Sequence, residues 1–365
     1  MRKKVFLFIP TIGGGGAEKM VIDLAAGIDK DRYDVTLFSL YDESRAVPER
    51  VRYAAEKGVN VRYLGKKSGF DVKLLLRIAQ LIRKEKPDVL HSNLESFQYI
   101  SVLGRVMHVK HVHTMHSVGG KEHRIYGYLL KNAYRNKQFY MVALSTRIHD
   151  ELAEMYPELK DRLVTVFNGV DVKHFLSDKS QINDETIEFV CVANLTPVKN
   201  HEMLIRAFSL FLANGGMRAH LKLVGDGVLR EELEQLVASK DLTSLITFVG
   251  TLADPAPVLK ESDIFVMSSH YEGMPLSVAE AMAAGLPVVA PQIGGLNEMI
   301  DGNGILYQVD DPNELANAML KIASNKGLWL QYHEESCKRA WKFDISNMVR
   351  EYEGLYDSSF SGKTE

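Results

Sequence analysis

The chain is predicted to be an α/β protein made of two tandem domains, each a Rossmann-like, doubly wound parallel sheet. Three observations carry that expectation. Strand-length apolar runs alternate with longer stretches of helical period, as a parallel sheet covered by helices requires. The series breaks at the turn-forming Asn168-Gly169 and the polar stretch Ser177–Glu185, and then begins again. With 365 residues, 46% hydrophobic and 25% charged, the chain is long enough for two cores at roughly 100–200 residues per domain. The expected domains are 1–175 and 176–344, facing a central cleft. A last helix is expected over 345–358.

In the first domain the expected strands are Lys4–Pro10, Asp34–Leu40, Asn60–Leu64, Asp88–His91, His111–Thr114, Tyr140–Leu144 and Leu163–Phe167. Helices are expected to begin near Ala17, Pro48, Asp71, Glu95, Arg124 and Thr146; Pro48 and Thr146 are start signals. The second series has strands at Ile187–Ala193, His220–Val224, Leu245–Val249, Asp263–Met267, Pro287–Ala290 and Ile305–Gln308. Its helices are expected over His201–Ala213, Arg230–Ser239, Pro255–Glu261, Pro275–Ala284, Leu296–Ile300 and Asn313–Ala323. Met348, Tyr352 and Tyr356, spaced by four, mark the last helix. Ligands of open parallel sheets bind beyond the strands' carboxyl ends, so the loops there are where chemistry is expected.

Composition excludes several classes. Two cysteines, Cys191 and Cys337, without zinc-finger spacing make no disulfide framework and fit a reduced compartment. The apolar run Val5–Pro10 is too short for a signal core or a membrane span, so a cytoplasmic location is expected, with peripheral contact at the inner face of the membrane as an option. The net charge of -3 hides an asymmetry: residues 1–175 hold 29 basic and 20 acidic side chains, the rest 15 and 27. A basic first half suits an anionic partner, and the dispersion of its charges argues against nucleic acid. Arg62, Lys66, Lys67 and Lys73, beside Phe70 and Leu74–Leu76, form a candidate face for an anionic membrane.

Two motifs point to chemistry. Gly13-Gly14-Gly15-Gly16 lies between a strand and a helix, where backbone approaches a ligand closely and the helix end favours negative charge: a cradle for phosphate or sugar, or a tight turn. It is no dinucleotide fingerprint, because Lys19 stands where a third small residue is needed. Glu18 reads equally as a first-turn acid favoured by the helix dipole. The second motif, Glu272 to Glu280 followed by Ala281–Ala290, reads as loop, helix and strand. It sets two carboxylates about 10 Å apart along a helix, able to accept from hydroxyls on different parts of one extended ligand. Between them the N–H groups of Leu276 and Ser277 are free for a diphosphate. Among the histidines, His91 is read as a strand end lining the cleft, and His108 and His111 as surface residues. Asp310-Asp311 is read as a helix start, not a metal site.

With GGGGAE at Gly13–Glu18, FNGVD at Phe167–Asp171, LTPVKNH at Leu195–His201, LVGDG at Leu223–Gly227, FVGT at Phe248–Thr251 and the two glutamates, the chain resembles the retaining glycosyltransferases of family 4, the glycosyl transferases group 1 class with the GT-B fold. The resemblance implies that Glu272 holds hydroxyls of the donor sugar, Glu280 the ribose, and Lys199 the diphosphate. It places Gly15 and Gly16 facing the donor, His116 near the sugar, and the base against Val249, Gly250 and Thr251. It also implies that Gly273, Met274, Leu276 and Ser277 line the donor and that the last helix, over 345–358, crosses back to the first domain. One departure is plain: Asn194 stands where the family often has arginine, and it brings a hydrogen bond without a charge. The implied reaction moves a hexose or N-acetylhexosamine, from a UDP-sugar by family frequency, to a glycan or polyprenyl-linked acceptor. A bacterial surface polysaccharide or lipopolysaccharide is the expected product, and neither a metal nor another cofactor is expected. A nucleotide-sugar epimerase would share the architecture but needs acid and base groups around the sugar ring. An NAD-dependent dehydrogenase is disfavoured by the failed fingerprint, and a non-catalytic binder by the presence of Lys199 and both glutamates.

Overall fold

The computed structural model describes residues 2–116, 123–183, 185–215 and 217–357, with side chains left undescribed at 123–126. Ser117, beside His116, and Ser358, the expected end of the last helix, lie outside the described residues. The chain divides into two units, one comprising the chain up to Gly169 together with the segment from Ile345 on, the other Val170–Asp344.

The strands of the first unit are β1 (Lys3–Ile9), β2 (Tyr33–Ser39), β3 (Val61–Tyr63), β4 (Val89–Asn93), β5 (Lys110–Met115), β6 (Phe139–Ala143) and β7 (Leu163–Thr165). They form one parallel sheet in the order β3-β2-β1-β4-β5-β6-β7. Its helices are α1 (Gly16–Gly27), α2 (Pro48–Glu56), α3 (Val72–Glu85), α4 (Phe97–Val106), α5 (His123–Tyr134) and α6 (Thr146–Met155). Caps explain several starts: Asp71 accepts from Leu74 N–H at α3, and Ser145 from Ile148 N–H at α6. Phe6, Phe8 and Phe38 pack as ring pairs 4.8 and 5.1 Å apart at the centre of the core under β1 and β2.

The second unit opens with α7 (Val172–Phe175), capped by Asp171, and continues with β8 (Ile187–Val192), α8 (His201–Gly215), β9 (Ala219–Val224), α9 (Arg230–Ser239) and β10 (Ile246–Gly250). There follow α10 (Ala256–Glu261), β11 (Ile264–Val266), α11 (Leu276–Ala283), β12 (Val288–Pro291), α12 (Leu296–Met299), β13 (Gly304–Tyr307), α13 (Pro312–Ala323) and α14 (Lys326–Ala340). The sheet is parallel throughout in the order β10-β9-β8-β11-β12-β13. Phe189, Phe208 and Phe211 form its aromatic centre.

The last helix, α15 (Ile345–Tyr356), belongs to the first unit and packs on α1. Gly27 permits the approach, since a Cβ there would lie 2.7 Å from a methyl of Val349. Two readings from the sequence need correction. The division falls at Gly169, not at 175, because α7 packs on α10 and α11 of the second unit. The sequence also gave no sign of α14, whose buried side chains, Trp329, Ser336 and Ala340, form no aliphatic stripe.

Candidate functional site

In the second unit the chain winds outward in opposite directions from β8 and β11, so the loops that follow these neighbouring strands stand at the carboxyl edge of the switch point, where ligands of open parallel sheets bind. Lys199 sits on one loop and Glu272 on the other. After β8 a short 3-10 turn, Pro197–Lys199, ends at Asn200, whose φ of 50° reverses the chain. Two bonds join the loops: Ser268 Oγ donates to Lys199 O at 2.8 Å, and His270 N–H to Val198 O at 2.8 Å. They bring Lys199 Nζ to 2.7 Å from Glu272 Oε1, where Ser269 Oγ also donates at 2.6 Å. Glu272 is 7% exposed, and a carboxylate so buried needs such charge-assisted bonds.

The backbone around Glu272 is equally constrained. Gly294 has φ +50°, and a Cβ there would stand 1.8 Å from Glu272 O. Gly295 N–H donates to Gly273 O at 2.8 Å. Then Pro275 opens α11 without a side-chain cap, so the first N–H groups, those of Leu276 and Ser277, have no carbonyl ahead of them in the helix. Met274 and Leu276 are buried. Glu280 is buried on the same helix.

Asn194 follows β8, Val249 lies on β10 and Thr251 just beyond it. Leu195 N–H donates to Asp226 O at 3.0 Å, and Gly225 N–H to Gly250 O at 2.8 Å. Gly225, with φ +136°, fits only because a Cβ would meet Ala193 O at 2.1 Å. Asn194 and Thr251 are exposed and Val249 is half-buried. Arg230, at the start of α9, is held by Asp226 at 3.2 Å and Glu234 at 2.8 Å. It is therefore committed to carboxylates beside the place where Asn194 brings no charge.

The first unit has its own switch point, between β1 and β4. Gly13 to Gly16 follow β1, and the Glu18 carboxylate folds back over them: a Cβ on Gly13 or Gly15 would lie 2.9 or 2.6 Å from its oxygens. Burial raises the pKa of Glu18. A carboxylate already at this helix end suits hydroxyl donors better than a second anion, which narrows the cradle read from Gly15 and Gly16 toward sugar. His116 follows β5, with Nε2 3.0 Å from Asn93 Oδ1. Its ring is enclosed by neighbours although part of the residue reaches the surface, and the loss of solvation lowers its pKa to about 4. Beside Asn93, Leu94 holds a left-handed φ of 51°.

Two histidine readings are overturned. His91 does not line an opening; it is fully buried, with Nδ1 2.7 Å from Tyr356 Oη and Nε2 2.8 Å from Thr114 Oγ1. His111 is not at the surface but buried, with Nε2 2.8 Å from Ser92 Oγ. The apolar alternation of β5 runs through its histidines, which a sequence pattern counts as polar. His108 is exposed. Asp311 caps α13, accepting from Asn313 and Glu314 N–H, while Asp310 accepts from Asn200 Nδ2 at 2.9 Å. Sequence reasoning missed Ser268, Ser269, Asn93 and Gly294. The Ser-Ser pair after β11 and the Gly-Gly pair after β12 were legible as signals of polar loop contact and close backbone approach.

Residues 14–174 match the family Glycosyltransferase Family 4, and residues 186–325 match Glycosyl transferases group 1. An uncharacterized glycosyltransferase of Haemophilus influenzae is 25% identical over 97% of this chain and 99% of its own length. The Escherichia coli UDP-Gal:alpha-D-GlcNAc-diphosphoundecaprenol alpha-1,3-galactosyltransferase is 26% identical over 78% of this chain and 79% of its own. Among solved structures, Anabaena HepE in complex with UDP-glucose superposes with a TM-score of 0.82 at 20% identity, covering 96% of this chain and 99% of that one, a likeness of fold.

Proposed function

Because the chain belongs to the group 1 and family 4 glycosyltransferases of GT-B type, we propose that it moves a hexose or N-acetylhexosamine from a UDP-sugar, with retention at the anomeric carbon, to a hydroxyl of a glycan or lipid-linked acceptor. The observation that carries the reading is the Lys199–Glu272 pair, 2.7 Å apart at the switch point of the second sheet. Departure of the nucleoside diphosphate is the costly event, and Lys199 with the amides of Leu276 and Ser277 offers positive potential where that charge develops. Glu272 accepts from sugar hydroxyls and sets their orientation. Glu280 takes the ribose, and Asn194, Val249 and Thr251 the base end, with Gly273 and Met274 lending backbone. In the first unit, sugar recognition falls to Gly15, Gly16 and His116. With a pKa near 4, His116 is neutral at physiological pH and acts as a hydrogen-bonding group, not a cation. The donor and acceptor named for the E. coli relative, and the UDP-glucose complex of HepE, support a UDP-sugar and a lipid-linked acceptor. The reading needs no metal or other cofactor.

The product belongs, in this reading, to surface polysaccharide or lipopolysaccharide synthesis. Among the described residues no helix is long and apolar enough to cross a membrane. Contact with an anionic membrane would fall to exposed Phe70, Val72 and Leu76 with Lys67 and Lys73. Lys66 is tied down by the carbonyls of Lys67 and Gly69, and Leu74 lies in the core, so neither serves that face. A screen of nucleotide sugars by thermal stabilisation, then transfer with NMR of the product, tests the reaction. An α-linked product from an α-linked UDP-sugar is expected; a β-linked one contradicts retention.

A further inference from the structure

Ser269 has no part in the roles assigned above. It is 1% exposed at the loop that follows β11, and its hydroxyl lies 2.6 Å from Glu272 Oε1. Beside a carboxylate a hydroxyl donates, and Lys199 Nζ donates to the same oxygen from 2.7 Å. Among the described residues both side-chain hydrogen bonds of Glu272 thus fall on Oε1. Oε2 is the oxygen left to accept from a ligand. The terminal torsion of a glutamate is broad and roughly two-fold, so an unanchored carboxylate presents either oxygen over a range of tilts. Lys199 is a weak anchor by itself. Its ammonium rides on a flexible stem, and in the proposed reaction it also serves the diphosphate. Ser269 has one short side chain on a backbone fixed by the bonds of its neighbours, Ser268 to Lys199 O and His270 to Val198 O.

We propose that Ser269 is a positioning residue for the donor sugar: by holding Oε1 of Glu272 it aims Oε2 at a sugar hydroxyl, independently of Lys199. The inference rests on the nucleotide-sugar reading above. It predicts an effect confined to the sugar, because Glu272 reads the sugar and Lys199 the diphosphate.

The test is calorimetric titration of UDP, UDP-galactose, UDP-glucose and UDP-N-acetylglucosamine into the full-length protein and its variants, with melting temperatures measured alongside. Ser269→Ala is expected to weaken the best-bound UDP-sugar about tenfold while UDP stays within about twofold, as loss of one bond to a charged acceptor implies. Ser269→Thr keeps the hydroxyl and is expected to hold UDP-sugar within about threefold of wild type. In a Glu272→Gln background, adding Ser269→Ala is expected to change nothing further. Unchanged UDP-sugar affinity in Ser269→Ala overturns the proposal, as does an equal loss for UDP and UDP-sugar, or a loss that persists in the Glu272→Gln background. Should Ser269→Ala melt early, Ser269→Thr and Glu272→Gln still decide: a UDP-sugar preference over UDP that survives Glu272→Gln overturns it. A wild-type chain that binds no UDP-sugar better than UDP counts against the donor reading itself. A wild type that discriminates, beside a Ser269→Ala variant that discriminates equally, counts against Ser269 alone.

Discussion

The two units share a winding scheme but spend their buried polar groups differently. In the first, two buried networks lie on opposite faces of the sheet: His91 bonds Thr114 and Tyr356, with Tyr352 on Thr114, on the side of α15, and Ser92 bonds His111 and His113 beside Phe97 of α4. In the second, the hydrophobic cluster is aliphatic and aromatic; Lys199, Ser268, Ser269 and Glu272 stand together at the carboxyl edge, and Asp263 is buried at the opposite end of β11 against Lys179. Desolvation keeps the first set neutral: His91 and His111 are pushed well below the usual histidine range, His113 to about 3 and His116 to about 4. In the second set each member is bonded to another: Lys199 and Ser269 to Glu272 Oε1, and Ser268 to the carbonyl of Lys199. A buried polar group therefore tells little by itself; whether it binds a helix to the core or awaits a ligand depends on where along the strand it stands.

Removing the charge at the second edge should have the largest effect. Lys199→Ala is expected to lower turnover about a thousandfold with the fold intact, the scale of a lost transition-state donor; steady-state kinetics beside circular dichroism checks this. Gly294→Val should follow, costing about 3 kcal/mol or more of stability, because the backbone is left-handed and Glu272 O blocks the side chain. Its urea midpoint and residual transfer are the readouts.

Acid should then separate the units. A histidine depressed in the folded state binds fewer protons there than in the unfolded chain, so its stabilising share is complete above about pH 6.5 and lost as pH falls toward the folded value, at about 1.4 kcal/mol per pH unit for each. Among the described residues the first unit holds four such histidines, while in the second His201 is lowered to about 4. Trp329 and Trp341 both lie in the second unit, so tryptophan fluorescence follows that unit while far-ultraviolet dichroism follows both. Between pH 7.5 and 5.5 the dichroism midpoint in urea should fall more than the fluorescence midpoint; equal shifts would refute the contrast. The smallest effect is expected from Tyr356→Phe, which strips His91 Nδ1 of its partner and should cost about 1–3 kcal/mol.

Most of this architecture was legible in the sequence. Among the described residues the thirteen strands lie where the apolar runs placed them, within a residue or two, because buried parallel strands write themselves as continuous apolar segments. α14 escaped because its buried side chains are Trp329, Ser336 and Ala340, which patterning does not count as a stripe. The Lys199 and Glu272 loops were legible as motifs, but their joining was not. It depends on hydroxyls of Ser268 and Ser269, and on Gly294, which lies 22 positions beyond Glu272. Periodicity reports which face is buried; it does not report which polar atoms meet.

The central claim is that Lys199 takes the diphosphate and Glu272 the sugar of one donor. Titrating UDP and the preferred UDP-sugar into wild type, Lys199→Ala and Glu272→Gln tests it most directly. Lys199→Ala should lose affinity for both ligands, whereas Glu272→Gln should bind UDP as wild type does and gain nothing from the attached sugar. Wild-type affinity for both ligands in both variants would contradict the account.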